Sequence, residues 1–396
     1  MNPSKQRDAI HWGELFHSWR YQNEGPRDLR IDLLRGFCVF AMIMVHIPGL
    51  YPLRIVWIAS EYILGAEAFI LLAGMLSGLS GLAHIEQGHF GLAVRRNLLR
   101  AFKMYVLLVV LTGMVAVLGG LAGLAWAPPI DQIQPAVLIW QVLMIDSPHY
   151  YMTDVLLLYT ILTLATPVFL WLLKRNLWWV LLAGSWGLWL GHQLAPQIFD
   201  GSMVYVEFHP SCWQIYYVHG IVLGYYLMRI RDWLNWRRIS MIGSMAVVGV
   251  MLVGVLFVAN LLYFVPPAIE NSGDFFSKFD VRPGRLLLAL ITFPGAWVIT
   301  TRYWQPLYRA TGWLFLPLGQ HALIAYIAHL PLIVVFQALV NMLPGFFGQV
   351  WVNRFFPIVP PLLAWLIIML TSSLLTSGST GKVSSGEVAG VRQKQT

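Results

Sequence analysis

Ten segments of this sequence are apolar for long enough to cross a bilayer as helices, at about residues 31–50, 61–83, 102–126, 151–173, 177–195, 211–228, 240–264, 285–301, 315–341 and 355–376. No other feature constrains the fold as tightly. In hydrocarbon every backbone N–H and C=O must bond within its own element, which leaves only helices or a closed barrel. Continuous apolar runs of this length select helices. The predicted fold class is all-α, a polytopic integral membrane protein with about ten transmembrane helices. Composition agrees: charged residues make up 11% of the chain, against about 25% in a soluble domain.

Lys and Arg set the orientation. They cluster in the polar arm 1–26, at Arg95, Arg96, Arg100 and Lys103, at Lys174 and Arg175, at Arg229 to Arg238, at Arg302 and Arg309, and in the tail. With ten spans these clusters all fall on one side, so both termini are expected in the cytoplasm. The expected organisation is a polar cytoplasmic arm over 1–26, a membrane domain over 27–376 and a disordered cytoplasmic tail over 377–396. No cleavable signal peptide is expected, because the first thirty residues are polar. The net charge of +8 is spread over these anchors. It forms no basic, aromatic-interleaved face, so a nucleic-acid partner is excluded. Cys38 and Cys212 are expected on opposite sides of the membrane, with no disulfide between them. Gly74-x-x-x-Gly78 predicts a close helix approach.

Ionisable residues inside apolar spans are expensive and mark function. The run Arg27–Pro48 holds Arg35 and His46 eleven positions apart, about three turns and roughly 16 Å along one helix face. His46 suits general-base work on a hydroxyl, or is a buried structural histidine. Glu67 enters the second span at a depth expected to match that of His46. It either orients the imidazole or pairs with an arginine. Asp154 is a second carboxylate at that depth. His209, Trp213 and Gln214 line the mouth of the sixth span, as sugar contacts or as interfacial anchors. Lys278, Arg282 and Arg285 carry positive charge on the outer side, against the usual bias, and point to an anion or to buried carboxylates. His329 lies near the centre of the ninth span. No HExxH, CxxC or i, i+4 histidine pair occurs, so no metal is expected.

The segment IDLLRGFCVFAMIMVH resembles the first-helix signature of the membrane acyltransferase superfamily, an arginine and a histidine with ten residues between them. RDLRIDLLRG, AEAFILLAGMLSG, DVLLLY, FHPSCWQ, the Lys278–Arg285 segment and GQHALIAY, in this order, resemble the OpgC branch. The resemblance covers about residues 27–341 and departs from that branch at His209, Gln320 and Ala322. It implies O-acyl transfer, most naturally of succinyl, from cytoplasmic acyl-CoA to a hydroxyl of an osmoregulated periplasmic glucan, at the bacterial inner membrane. No cofactor is expected to be permanently bound; acyl-CoA is a substrate. The resemblance makes His46 the catalytic base or acyl carrier, with Arg35, Glu67, Asp154, Gln214 and Arg285 as site members. Arg30, Arg35, Arg95 and Arg96 are the candidates for the CoA phosphates. His209, Trp213, Gln214, Lys278, Arg282, Arg285 and His329 are those for acyl group and glucan. Two other readings compete: acylation of a different envelope polysaccharide, and a proton-coupled polysaccharide transporter using the same His, Glu and Asp.

Overall fold

The computed structural model describes residues 20–22, 27–46, 65–127, 129–144, 153–200, 208–236, 243, 249, 275, 277–347, 349 and 358–380. Among them the chain is helical, with no strand. The main helices are α1 (Leu29–Val45), α2 (Ala66–Glu86), α3 (Phe90–Leu121), α4 (Pro135–Met144), α5 (Asp154–Lys174), α6 (Trp178–Leu194), α7 (Pro210–Trp236), α8 (Pro283–Arg302), α9 (Trp304–Gln320), α10 (Ala322–Met342) and α11 (Val359–Thr380). Five of them, α2, α3, α5, α8 and α10, are long and apolar enough to cross a membrane. The expected span over 240–264 falls outside the described residues apart from Gly243 and Gly249. The arm 1–19 and the tail beyond Thr380 fall outside them too.

The expected single span 315–341 is instead two helices that meet at His321, whose backbone leaves helical geometry (φ −114, ψ 36). Helix α9 itself continues through Pro317 and ends with the His321 N–H on the Pro317 carbonyl. Pro317 has no N–H to give to the Trp313 carbonyl one turn back, and that carbonyl accepts the Trp365 indole N–H of α11 at 2.9 Å instead.

Two helix pairs pack backbone on backbone. On α2, a Cβ at Gly74 or Gly78 would fall on the carbonyl oxygens of Tyr217 and Ile221 in α7. On α7, a Cβ at Gly220 or Gly224 would fall on those of Leu71 and Met75. The predicted close approach of Gly74-x-x-x-Gly78 therefore meets a matching Gly220-x-x-x-Gly224, and the two helices run side by side in the same direction. Such contact replaces the hydrophobic drive that lipid does not provide. The second pair is α1 with α9, where Gly36 lies on the Phe315 carbonyl and Gly319 on that of Asp32. Ile31 and Leu34 of α1 pack with Leu72 and Met75 of α2 and Ala296 of α8. The α1 wall is thereby closed on both sides.

Candidate functional site

Helix α1 opens with a dense set of ion pairs. The Asp28 side chain caps it, accepting from the Arg30 backbone N–H at 3.0 Å. Arg27 grips buried Asp32 in a two-pronged pair at 2.5 and 2.7 Å. Arg30 is fully engaged. Its Nε and Nη2 donate to Asp28 at 2.9 and 2.6 Å, and its Nη1 to Thr301 at 2.8 Å. Its guanidinium lies between the rings of Tyr21 and Trp297 at 4.5 and 4.3 Å. Tyr21 in turn donates its backbone N–H to Thr301 at 2.8 Å, and burial, above all, pushes its phenol above the ordinary value. Arg30 is thus a fastener between α1, α8 and the segment at Tyr21.

Arg35 stands one turn further along, over the Phe69 ring at 5.8 Å, with Tyr159, Asp32 and Arg100 as electrostatic neighbours. Its Nε is buried with no hydrogen-bond partner among the described residues. Tyr159 donates to the Phe69 carbonyl at 3.1 Å. Arg95 and Arg96 are exposed on α3 about one turn before Arg100, and Arg96 contacts the ring of His84. Of the α3 basic cluster, Arg100, which is also exposed, is the member whose charge acts on Arg35.

Beyond Arg35 comes Cys38, fully buried, with Glu67 and Arg35 as its charged neighbours. Arg285 Nε donates to Glu67 Oε1 at 2.9 Å, and the side chains are only 4% and 11% exposed. Of the two pairings weighed for Glu67, the structure shows the one with an arginine. The expected common depth of Glu67 and His46 does not hold. Helix α2 begins opposite Cys38, eight positions or roughly 12 Å of rise short of His46. Tyr216 of α7 lies beside this pair.

At the far end, the His46 ring is 6.1 Å from that of His329 with planes tilted by 34°. His329 Nδ1 contacts the Tyr326 carbonyl. A carbonyl only accepts, so Nδ1 carries the hydrogen and Nε2 is left as the acceptor of the neutral ring. Tyr326 lies edge-on to His329 at 4.8 Å and within reach of the Asp154 charge; Asp154 is buried in the first turn of α5. Gln337 Nε2 meets the His46 carbonyl at 3.4 Å, and its Oε1 accepts from the Trp126 indole at 2.7 Å. Lys278 is the charged neighbour of His46.

The segment that carries Lys278 is clamped by three consecutive carbonyls. The Trp213 indole donates to Phe279 O at 3.0 Å, Gln193 Nε2 to Asp280 O at 2.7 Å, and the Trp189 indole to Val281 O at 2.8 Å. Val281 is held at φ 49, a conformation that a β-branched residue adopts only when its surroundings impose it. Arg282 then caps α8 ahead of Pro283 and lies 3.6 Å from Asp280.

Trp213 is 0% exposed and packs against Phe208 and Tyr216. It acts as a pin for the loop and presents no open ring face to a sugar. Gln214 is spent on α6: Nε2 donates to the Ser185 carbonyl at 2.9 Å and Oε1 accepts from the Ser185 hydroxyl at 2.7 Å. His209 Nδ1 contacts the Ser211 hydroxyl at 2.6 Å, which also contacts His192 Nδ1 at 2.8 Å. His192 Nε2 lies 3.6 Å from Asp280. His209, Ser211, His192 and Asp280 hold α6, α7 and the loop together.

The structure therefore strings Arg35, Glu67, Arg285, Lys278, His46 and His329 along one face of α1, with Asp154 joined through Tyr326. It keeps Arg30, Arg95, Arg96, Trp213, Gln214 and His209 off that line. Tyr159, Tyr216 and Tyr326 border it without having been singled out from the sequence, and the charge of exposed Arg100 acts on Arg35.

Described residues that are helical throughout, with five helices of bilayer length and a line of ionisable side chains between them, mark a polytopic membrane protein. This chain belongs to the OpgC family: the family model described as OpgC protein matches residues 27–374. Neither the curated proteins nor the solved structures contain a match to it. Family membership points to a membrane acyltransferase-like function in glucan modification.

Proposed function

We propose that the protein is a membrane O-succinyltransferase, moving a succinyl group from cytoplasmic succinyl-CoA to a hydroxyl of a periplasmic glucan. The observation that carries this reading is the placement of Arg35 and His46 on one face of α1, with buried polar groups between them. In the orientation that the Lys and Arg clusters favour, ten spans place both termini in the cytoplasm of a bacterium and the His46 end of α1 towards the periplasm. Arg35 and Arg100 hold the donor phosphates by charge-assisted hydrogen bonds. The donor arm lies along α1 and brings the thioester to His46.

In direct transfer, His46 takes the proton of the glucan hydroxyl as its oxygen attacks the thioester carbonyl. The tetrahedral intermediate then expels the CoA thiolate, and the proton passes from His46 to that sulfur. If His46 carries the acyl group, its ring nitrogen attacks first and the thiolate leaves with the proton that the acylated ring sheds; the hydroxyl then attacks the acyl-imidazole, and its proton returns to the imidazole as that ring leaves. Lys278 stands where the distal succinyl carboxylate comes to lie. His329 and Tyr326, with Asp154 behind them, fix the surroundings of the imidazole. Proton transfer by a placed side chain is worth about 10²–10⁴ in rate.

The test is release of free CoA thiol from succinyl-CoA by the purified protein with glucan present, together with mass spectrometry of the product. The expected result is a succinyl increment on the glucan that disappears in His46→Ala, with the protein still folded. Unchanged succinylation in that variant sinks the assignment. An acetyl increment from acetyl-CoA in place of a succinyl one moves it to a different donor.

A further inference from the structure

We infer that the Tyr216 hydroxyl is a binding contact for a carbonyl oxygen in the uncharged, amide-bearing arm of the donor, and that the Glu67–Arg285 pair keeps that stretch of the path neutral. This deepens the proposed function and rests on it. The starting observation is an unmatched donor. Tyr216 is 3% exposed, and its hydroxyl has no hydrogen-bond partner among the described residues. Buried polar atoms are almost always paired, so each exception asks for an explanation.

The neighbouring tyrosines show what pairing looks like here. Tyr217, the next residue, donates to Ser77 at 2.9 Å and meets the Thr166 hydroxyl at 2.8 Å. Tyr159 donates to the Phe69 carbonyl at 3.1 Å. Tyr216 alone of the three points its hydroxyl at nothing described. A second orphan is Arg35 Nε, whose guanidinium lies over the Phe69 ring of α2. The link between them is the first turn of α2, which carries Glu67 and Phe69: Gly220, one turn after Tyr216, meets the Leu71 carbonyl, one turn after Glu67. Two buried donors at the level of one turn of α2, each without an acceptor among the described residues, describe a place where a ligand supplies acceptors.

Charge then selects the ligand group. A phenol hydroxyl beside a carboxylate disfavours an anionic acceptor, because Glu67 repels it. Arg285, bonded to Glu67 at 2.9 Å, cancels that charge, so this stretch attracts neither sign. Phosphates belong with Arg35 and Arg100 at one end, and the thioester with His46 at the other. What lies between them in an acyl-CoA is the arm with its amide carbonyls, which are neutral acceptors of the kind a phenol donates to.

Tyr216→Phe in the full-length protein tests this with two readouts of opposite sign. Without ligand, removing an unpaired buried hydroxyl raises the melting temperature. With succinyl-CoA, the variant loses one hydrogen bond, and KM rises by about 3–10-fold with kcat changed far less. The added melting shift from free CoA shrinks in parallel. A fall in unliganded melting temperature with unchanged KM overturns the inference, because the hydroxyl then has a partner inside the protein. If wild type is stabilised by CoA and Tyr216→Phe is stabilised equally, the inference fails and the acyltransferase reading stands. If CoA and succinyl-CoA neither stabilise wild type nor are turned over, both fail together.

Discussion

Arg285 and Glu67, 218 positions apart in sequence, form a buried ion pair at 2.9 Å that closes the middle of the α1 face. It joins the first turn of α2 to the first turn of α8. Removing two charges from water is costly, and only close geometry with further bonding offsets the cost. A buried pair of this kind is therefore poor as a stabiliser but severe as a constraint, since neither partner tolerates the loss of the other.

Glu67→Ala is accordingly expected to destabilise the protein by about 3–5 kcal/mol, because a guanidinium is left buried without its counter-charge. Glu67→Gln combined with Arg285→Met is expected to recover much of that loss. Thermal unfolding in lipid nanodiscs reads both. Additive losses in the double variant would show that the pair is not a coupled unit.

The arginines of the Arg35 end are expected to separate by readout. Arg30→Ala lowers thermal stability and leaves the KM for succinyl-CoA unchanged, because its donors and both ring faces are already occupied inside the protein. Arg35→Ala and Arg100→Ala raise that KM by roughly tenfold or more, the loss of a charge-assisted bond. A large KM effect at Arg30 would move the phosphate site towards Asp28 and away from α3.

Glycine position matters more than glycine number. Gly74→Ala puts a methyl group on the Tyr217 carbonyl, which cannot yield without parting α2 from α7. It is expected to lower the yield of folded protein sharply in fluorescence-detected size exclusion. Gly184→Ala meets no atom within 4 Å and is expected to be neutral or to gain slightly from helix propensity, up to about 1 kcal/mol. Equal behaviour of the two variants contradicts the packing.

Trp213→Phe removes the donor to the Phe279 carbonyl and leaves part of the buried indole volume empty. The expected cost is about 1 kcal/mol of stability for the hydrogen bond with a cavity cost added to it, and a fall in kcat as Lys278 loses its place beside His46. A rate that falls while glucan KM stays constant marks a positioning role. A change in glucan KM alone would instead return Trp213 to the acceptor.

The helical class and the Arg35–His46 face could be read from the sequence because both depend on periodicity within one segment. The partner of Glu67 could not. Whether it meets a histidine or an arginine depends on how far α2 is displaced along α1, which packing decides and hydropathy does not record. The break at His321 was hidden for a related reason: 315–341 is largely apolar on both sides of it, and Pro317, which lies inside α9, does not mark its end. Trp213 and Gln214 look like a sugar platform in one dimension, since an aromatic and an amide one position apart suit either a ligand or a neighbouring backbone. Gly220-x-x-x-Gly224 carried the same signal as Gly74-x-x-x-Gly78, and pairing the two needed only the comparison of both spans.

The glycine contacts have a mechanical consequence. With α1 riveted to α9 and α2 to α7 at the level of bare backbone, neither pair can slide without lifting apart. The other seams are lined by side chains: Ile31 and Leu34 of α1 meet Leu72 and Met75 of α2, Arg285 of α8 meets Glu67, and His329 of α10 faces His46. Relative movement is easiest at such seams, and two of them carry the ion pair and the paired imidazoles, so a shift there takes apart the buried polar contacts that line α1.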